Sequence, residues 1–401
     1  MGAAAVNREP AAAPARRGRY DAPAVAAGAV AFSFALGVAT VAFPLIALDA
    51  GYSGVQVGVL TACSAIMQMA TRTVLGRAMR HVADRSLVTL AACLVALSTG
   101  VLVLSAALVP FLLAEFLQGA ARACFWTGSQ THVVRGSGSS VSALAMVNFV
   151  SSIGLLGGPL AAGLLLEKSA DLTLLVATAA AVLAVPISLL LDRLPPFTVP
   201  ADRPPGRLWR RPGVAAGCWA GVSAGAWRGL VSSYVPVALQ QAGQSASTIG
   251  ALVSAANAAS IAGAGVVGRV SREGAWKALA AGTLAAGAGT ASVAAVAGSV
   301  PLAAMALALS GLGAGALQTV GPAVATEAVH PQERGEAIAV TGTFRAGALF
   351  AAPLGVAALI LAVPLSAAMT LAGVLITVPV LAVRRRPSAM HPAAVPAEDA
   401  W

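Results

Sequence analysis

Charge is what this 401-residue chain has least of: Asp, Glu, Lys and Arg make up 10% of it, against roughly 25% in a soluble globular domain. Aromatic residues reach only 5%, and lysine occurs twice, at Lys168 and Lys277. So few polar groups cannot cover a folded surface in water, which excludes a sizeable soluble domain. Cysteine is sparse as well. Cys63, Cys93, Cys124 and Cys218 all fall in apolar stretches, where they act as small apolar residues and offer neither a disulfide framework nor a metal spacing. The four histidines, His81, His132, His330 and His391, are expected in loops or the tail, so no metal site and no cofactor is expected. No Walker sequence is present, which excludes ATP hydrolysis by this chain as an energy source. Apolar and polar residues do not alternate over about ten residues, which excludes a membrane barrel.

What the chain has in abundance is hydrophobicity, 58% of all residues. It comes in runs of about 17 to 25 residues, the length that crosses the hydrocarbon core as a helix. The runs predict an all-α membrane protein with twelve transmembrane helices in two six-helix halves. The expected spans are 23–48, 54–76, 86–108, 109–131, 141–165 and 171–191, then 213–239, 246–267, 276–298, 300–324, 336–361 and 363–383. They divide the chain into an N-terminal tail (1–22), an N-terminal half (23–191), a linker dense in Pro and Arg (192–212), a C-terminal half (213–383) and a C-terminal tail (384–401).

The net charge of +10 could point to nucleic acid, but the placement of the positive residues explains it without that partner. With the N-terminus cytoplasmic, twenty of the twenty-five Lys and Arg residues fall on the cytoplasmic side and only Lys168 falls outside. This is the orientation signal of an inserted protein, and it places both termini and the linker in the cytoplasm. The remaining four, Arg72, Arg122, Arg228 and Arg345, lie within spans. ARRGRY, residues 15–20, looks like a twin-arginine export signal, but no small-residue cleavage site follows and the apolar run after it is too long, so a retained first helix is expected.

Two loops repeat. GRAMRHVADR begins at Gly76 and GRVSREGAWK at Gly268, with Gly, Arg, a second Arg (Arg80, Arg272) and Ala at matched positions 192 residues apart. Such weak symmetry is that of parallel repeats around an axis along the membrane normal. The first of these loops resembles G-x-L-x-D-R-x-G-R-R, the loop motif of the major facilitator superfamily. AEFLQG, from Ala114, resembles that family's fourth-helix motif A-R-x-x-Q-G, and GLLGGPLAAG, residues 154–163, its fifth-helix motif G-x-x-x-G-P-x-x-G-G. The resemblance spans residues 20 to 385. It implies a secondary transporter with gating or conformational roles at Gly76, Arg80, Asp84, Arg85, Gly154, Gly158, Pro159, Gly163, Gly268 and Arg272. The fifth-helix motif is associated in that family with antiporters, drug exporters especially. Two positions depart from the family: Arg80 stands where the loop motif has Asp, with Asp84 four residues later, and Glu115 stands where the fourth helix has Arg.

An ionised side chain in mid-bilayer costs at least about 2.5–3.5 kcal/mol, so one that persists there pairs or faces water. Glu115 is the one carboxylate expected deep in the membrane. Arg122 lies seven residues on, on the same helix face and about 10.5 Å along the axis, too far for a direct pair unless both side chains reach. In the resembled fold helices one, four, seven and ten line a central chamber, which implies that Glu115, Gln118, Arg122, Trp126, Trp227 and Arg228 surround it, with Arg345 near the interface between halves. Glu115 is the economical proton carrier, because burial favours its neutral form, a nearby Arg its charged form, and substrate can tip the balance. The other use of Glu115 is structural, as a partner for one of these arginines.

AGAGVVG, residues 262–268, matches a dinucleotide fingerprint literally but follows no strand, and with Gly311 and Gly315 it is expected to serve helix packing. The expected function is proton-coupled export of a small organic molecule, such as a drug or natural product, by alternating access. The expected partners are that molecule, protons and the lipid bilayer, the chain acts as a monomer, and no nucleic acid takes part. The alternative within transport is import or uniport of a small organic anion, since three arginines outnumber one glutamate. A membrane enzyme or sensor is the alternative of another class, against which no nucleophile–base pair stands at membrane depth. The alanine- and arginine-rich composition is associated with high-GC bacteria, which places the chain in the plasma (inner) membrane of a bacterium.

Overall fold

In hydrocarbon each backbone N–H and C=O must find a partner within its own segment, so long runs of Ala, Leu, Val and Gly become helices. A computed structural model describes residues 18–79, 81–134, 140–194, 208–267, 272–329 and 334–384. Its helices are α1 (Asp21–Asp49), α2 (Gly54–Ala78), α3 (Asp84–Leu104), α4 (Leu108–Val134), α5 (Ser140–Leu166), α6 (Ala170–Ser188), α7 (Pro212–Val231), α8 (Tyr234–Gln241), α9 (Ala246–Val267), α10 (Arg272–Val293), α11 (Val300–Glu327), α12 (Arg334–Leu359), α13 (Leu365–Thr377) and α14 (Pro379–Arg384). Among the described residues nine helices are long and apolar enough to cross a membrane. Residues 1–17 and 385–401 of the expected tails and most of the linker, together with Arg80 and Gly268, lie outside the described residues.

Each expected span falls on one helix or on a consecutive pair, and the pairs are corrections. Span 213–239 is broken at Ser232 and Ser233 into α7 and α8. Pro236 has no N–H to give the Ser232 carbonyl, so the helix loses one of its i−4 bonds at this point, and the chain turns at Ser232 and Ser233 before α8 begins. The last span is interrupted at Val378, before Pro379, where the Val378 N–H bonds the Leu375 carbonyl at 3.2 Å in place of an i−4 bond. A third correction concerns His132. It is no loop residue but lies inside α4, fully buried, with Nε2 2.8 Å from Asp21 Oδ1 on α1 and Nδ1 4.0 Å from Asp84 Oδ2 on α3.

Packing follows the same scheme before and after the linker. In the N-terminal helix group α1 packs on α5, α2 on α4, and α3 on α4 and α6; in the C-terminal group α7 packs on α12, α9 on α11, and α10 on α11 and α13. The groups meet chiefly where α5 lies on α9 and α2 on α12. Matched turns sit 192 residues apart. After α1 the chain turns at Gly51 (φ 88°) and after α8 at Gly243 (φ 81°), the left-handed conformation that glycine adopts without a Cβ clash. Tyr52 N–H reaches back to the Ala47 carbonyl and Gln244 N–H to the Leu239 carbonyl, both at 3.0 Å. Two residues after each glycine a serine caps the next helix: Ser53 Oγ accepts from Gln56 N–H and Ser245 Oγ from Thr248 N–H, both at 3.3 Å.

The small residues mark where helices touch. A Cβ at Gly154 would strike the Val30 carbonyl on α1, and one at Gly158 would lie 2.6 Å from the Phe34 carbonyl and 2.7 Å from Gly37. One at Gly163 would instead strike the Ala246 carbonyl at the start of α9. Gly263, Gly311 and Gly315 hold α9 and α11 together, meeting Leu312, Ala256 and Ser260 backbone respectively. Large apolar side chains such as Leu104, Val109, Met146, Phe149 and Met305 stay exposed, an outer surface suited to lipid.

Candidate functional site

The charged residues of the spans converge on the junction of the two helix groups. Glu115, on α4, is 5% exposed. Beside it α2 and α4 approach so closely that a Cβ at Gly119 would strike the Ser64 carbonyl, which sets α2 against the acid. A small cavity is lined by Ala39, Thr40 and Phe43 of α1, Thr61 of α2, Glu115, Gln118 and Arg122 of α4, and Ser232 from the α7–α8 break. Thr40 and Ser232 are themselves 192 residues apart, so the matching positions of both groups supply a hydroxyl. Both hydroxyls are turned to their own helices: Thr40 Oγ1 donates to the Leu36 carbonyl and Ser232 Oγ to the Arg228 carbonyl, each at 2.9 Å.

Three of the arginines near this junction are each held by a neutral amide. Arg122 Nη2 donates to Gln118 Oε1 one turn earlier on α4. Arg228 Nη1 donates to Asn257 Oδ1 at 2.8 Å, and its guanidinium lies 4.9 Å from the centre of the Trp227 ring, within cation–π range. Arg345 Nη2 donates to Gln318 Oε1 at 3.0 Å. Glu115 makes no ion pair within 4.0 Å among the described residues, although Arg122 is near enough to act on it through space. Arg228 likewise feels the charges of Arg345 and Arg122. Arg122, Arg228 and Arg345 thus carry three cations near one anion, and the hydrogen bonds these arginines make go to amides that neutralise nothing. Each guanidinium has five donors, so one amide apiece leaves capacity for a further acceptor.

The two tryptophans expected at the chamber play other parts. Trp227 is fully buried, its indole N–H given to Ser310 Oγ at 3.1 Å, and it reaches the site only by backing Arg228. Trp126 packs edge-on against Phe125, 5.4 Å between ring centres, in the core of the N-terminal group, where Phe125 stacks on Phe32 at 3.9 Å. It does not line the cavity. Asn257, Gln318, Thr40, Thr61 and Ser232 join the site without having been singled out from the sequence. The one available signal was an amide within an otherwise apolar span, as at Asn257 in SAANAAS, since a polar side chain there needs a partner on another helix.

Among the loop residues, Gly76 lies in α2 and Arg272 opens α10. Asp84 opens α3, buried beside His132, and Arg85 Nη1 donates to the Leu191 carbonyl at 3.3 Å. Asp21 Oδ1 accepts from His132 and from the Asp192 N–H at 2.9 Å, so α1, α3, α4 and the chain after α6 are tied together at one end of the bundle. Among the described residues no cluster of His, Cys, Asp and Glu suits a metal.

No curated protein matches the sequence significantly. Solved structures do resemble it in fold, at low identity. They include a bacterial homologue of the human lysosomal transporter Spinster in an inward-facing, unoccupied conformation (TM-score 0.69, 15% identity, covering 91% of this chain and 97% of that one). A variant of the nucleoside transporter NupG superposes with TM-score 0.73 at 10% identity (90% and 97% covered). A POT family transporter bound to a thioalcohol-conjugated peptide does so with TM-score 0.72 at 12% identity (90% and 94% covered). The family model of the Major Facilitator Superfamily matches residues 25–353 and 217–400. With that match over nearly the whole chain, on a bundle of apolar helices around an internal charged junction, the protein belongs to the Major Facilitator Superfamily and is a multi-pass membrane transporter, not an enzyme.

Proposed function

We propose that the protein moves a small organic molecule by alternating access between two six-helix halves, α1–α6 and α7–α14, twelve membrane crossings in all, and that Glu115 carries a coupled proton. The observation that carries this reading is an enclosed carboxylate, 5% exposed, with no ion pair within 4.0 Å among the described residues and a cavity beside it built from both groups. A charge so placed needs compensation, either by a proton or by a swing of Arg122 away from Gln118. A proton and a cargo that compete for such compensation are thermodynamically coupled, and the coupling is reciprocal. Export in exchange for protons is supported by the fifth-helix resemblance. Uptake of an organic anion is a second reading, favoured by Arg122, Arg228 and Arg345, each bonded only to a neutral amide. The chain acts as a monomer in the plasma membrane with both termini cytoplasmic.

A thermal-shift screen on the purified protein supplies a cargo, and proteoliposomes then test the coupling. Glu115→Gln imitates the protonated acid at almost unchanged volume. It is expected to exchange labelled for unlabelled cargo across the bilayer while an imposed pH gradient no longer drives accumulation. Glu115→Asp is expected to keep part of the coupling with a shifted pH optimum. Gradient-driven accumulation persisting in Glu115→Gln would show that the proton travels elsewhere. The direction in which cargo moves relative to the proton separates export from anion uptake.

A further inference from the structure

Pro159, in the middle of α5, has no N–H, so the carbonyl four residues before it, that of Leu155, loses its regular helical partner. In a membrane such a freed carbonyl must be satisfied by a neighbouring helix. It is: Asn257 Nδ2 of α9 donates to the Leu155 carbonyl at 3.0 Å. One turn earlier on the same face of α9, Ser254 Oγ donates to the Leu156 carbonyl at 2.8 Å. The contact continues along both helices, since a Cβ at Gly250 would strike the Pro159 carbonyl and one at Gly163 that of Ala246. Residues 250, 254 and 257 form one stripe of α9, laid along the part of α5 that carries Pro159.

The other end of the same amide faces the charged junction. Asn257 Oδ1 accepts from Arg228 Nη1 at 2.8 Å, and the residue is 4% exposed. One planar side chain therefore holds an arginine of its own helix group with its oxygen and a backbone carbonyl of the other group with its nitrogen. A rigid amide cannot follow one partner without lengthening its bond to the other. We propose that Asn257 is a positioning residue that transmits the state of Arg228 to the α5–α9 interface: cargo that draws Arg228 away loosens the hold on Leu155 and lets the two groups part. This rests on the reading of Arg228 as a cargo-facing residue, and it assigns to the fifth-helix proline a definite task, the exposure of a carbonyl for the opposite group to grip.

Spin labels at Lys168→Cys and Gln241→Cys, both exposed and one on each group, report the separation at that end of the bundle in a protein lacking its four native cysteines. The distances are read without cargo and without a pH gradient, so failure of the Glu115 coupling leaves the result untouched. Arg228→Met imitates withdrawal of the guanidinium and is expected to change the population of the longer distance about two- to tenfold, the weight of one hydrogen bond. In an Asn257→Ala background Arg228→Met is expected to change nothing further. Asn257→Asp keeps an acceptor for Arg228 but loses the donor to Leu155, and is expected to lengthen the distance whatever residue stands at 228. Pro159→Ala returns an N–H to the Leu155 carbonyl and is expected to suppress the effect of Asn257→Asp. An equal response to Arg228→Met with and without Asn257, or no response in either, would overturn the proposal. Should Asn257→Ala fail to fold, the Asn257→Asp and Pro159→Ala comparison decides the matter alone.

Discussion

At the scale of single residues, Asp21 is a buried carboxylate whose Oδ1 takes both His132 Nε2 and the Asp192 N–H. Asp21→Ala leaves two donors buried without an acceptor, and removing one partner of a buried polar group costs about 1–3 kcal/mol, more where charge is involved. A fall in the thermal unfolding midpoint of the detergent-purified protein is expected, with Asp21→Asn recovering part of it. An unchanged midpoint in Asp21→Ala would remove the cluster from the list of stabilising contacts. Glu167, just past the end of α5, sets a pH dependence of known sign. Hydrogen bonds from the Ser247 hydroxyl and N–H hold its carboxyl below the usual value of 4.5, with the N–H bond at 3.2 Å. Because its pKa is lowered in this arrangement, the link is fully made above the ordinary carboxylate range and is lost as pH falls through the lowered value. The 168–241 label distance is therefore expected to stay constant on acidification from neutrality until pH drops below about 4.5, and to lose that acid response in Glu167→Gln.

At the scale of helices, the four residues of the fifth-helix motif do different work. Gly154 and Gly158 face α1 within one helix group, Gly163 faces α9 of the other, and Pro159 touches both, its ring beside Gly37 of α1 and its carbonyl beside Gly250 of α9. Gly158→Leu forces side-chain atoms into Phe34 and Gly37 backbone, an overpacking of at least about 1–3 kcal/mol, and is expected to reduce the amount of folded protein in the membrane. Gly163→Leu presses only on the interface between groups, and is expected to leave folded protein while stopping transport. Size-exclusion profiles and cargo flux measured on both variants check the division, and equal folding defects in the two would contradict it. Helix positions were legible in the sequence because hydrocarbon thickness fixes their length, to within a few residues at each end. The break at Ser232 and Ser233 was not, because Pro236 stands four residues beyond it and a proline is compatible with both a kink and a stop. At His132 polar residues thin out the apolar run and the sequence suggests a loop, yet the helix continues and buries it against acids brought from α1 and α3 by tertiary packing. The same holds for the site: a charge in an apolar run was readable, and Gln118 one turn before Arg122 on α4 with it, but the amides that hold Arg228 and Arg345 became partners only through the meeting of α7 with α9 and of α12 with α11.

At the scale of the whole molecule, the orientation proposed from the positive residues has a direct check. Single cysteines at Ala201 and Ser247, introduced into a cysteine-free protein on intact cells, are expected to react with an impermeant thiol reagent at 247 only; labelling at 201 alone would invert the topology. The contacts that set the architecture are largely made of main chain. Gly119 meets the backbone of Ser64, Gly158 that of Gly37, Gly225 that of Arg345, and Gly315 that of Ser260. An interface in which one side is a bare Cα and the other a carbonyl asks nothing of the side chains around it beyond leaving room. Most positions of such a protein can then differ while helix spacing stays put, as it does among solved structures of this fold at 10–15% identity. The fold of this scaffold is thus held in the distance between backbones, which leaves the side chains at the junction free of that duty.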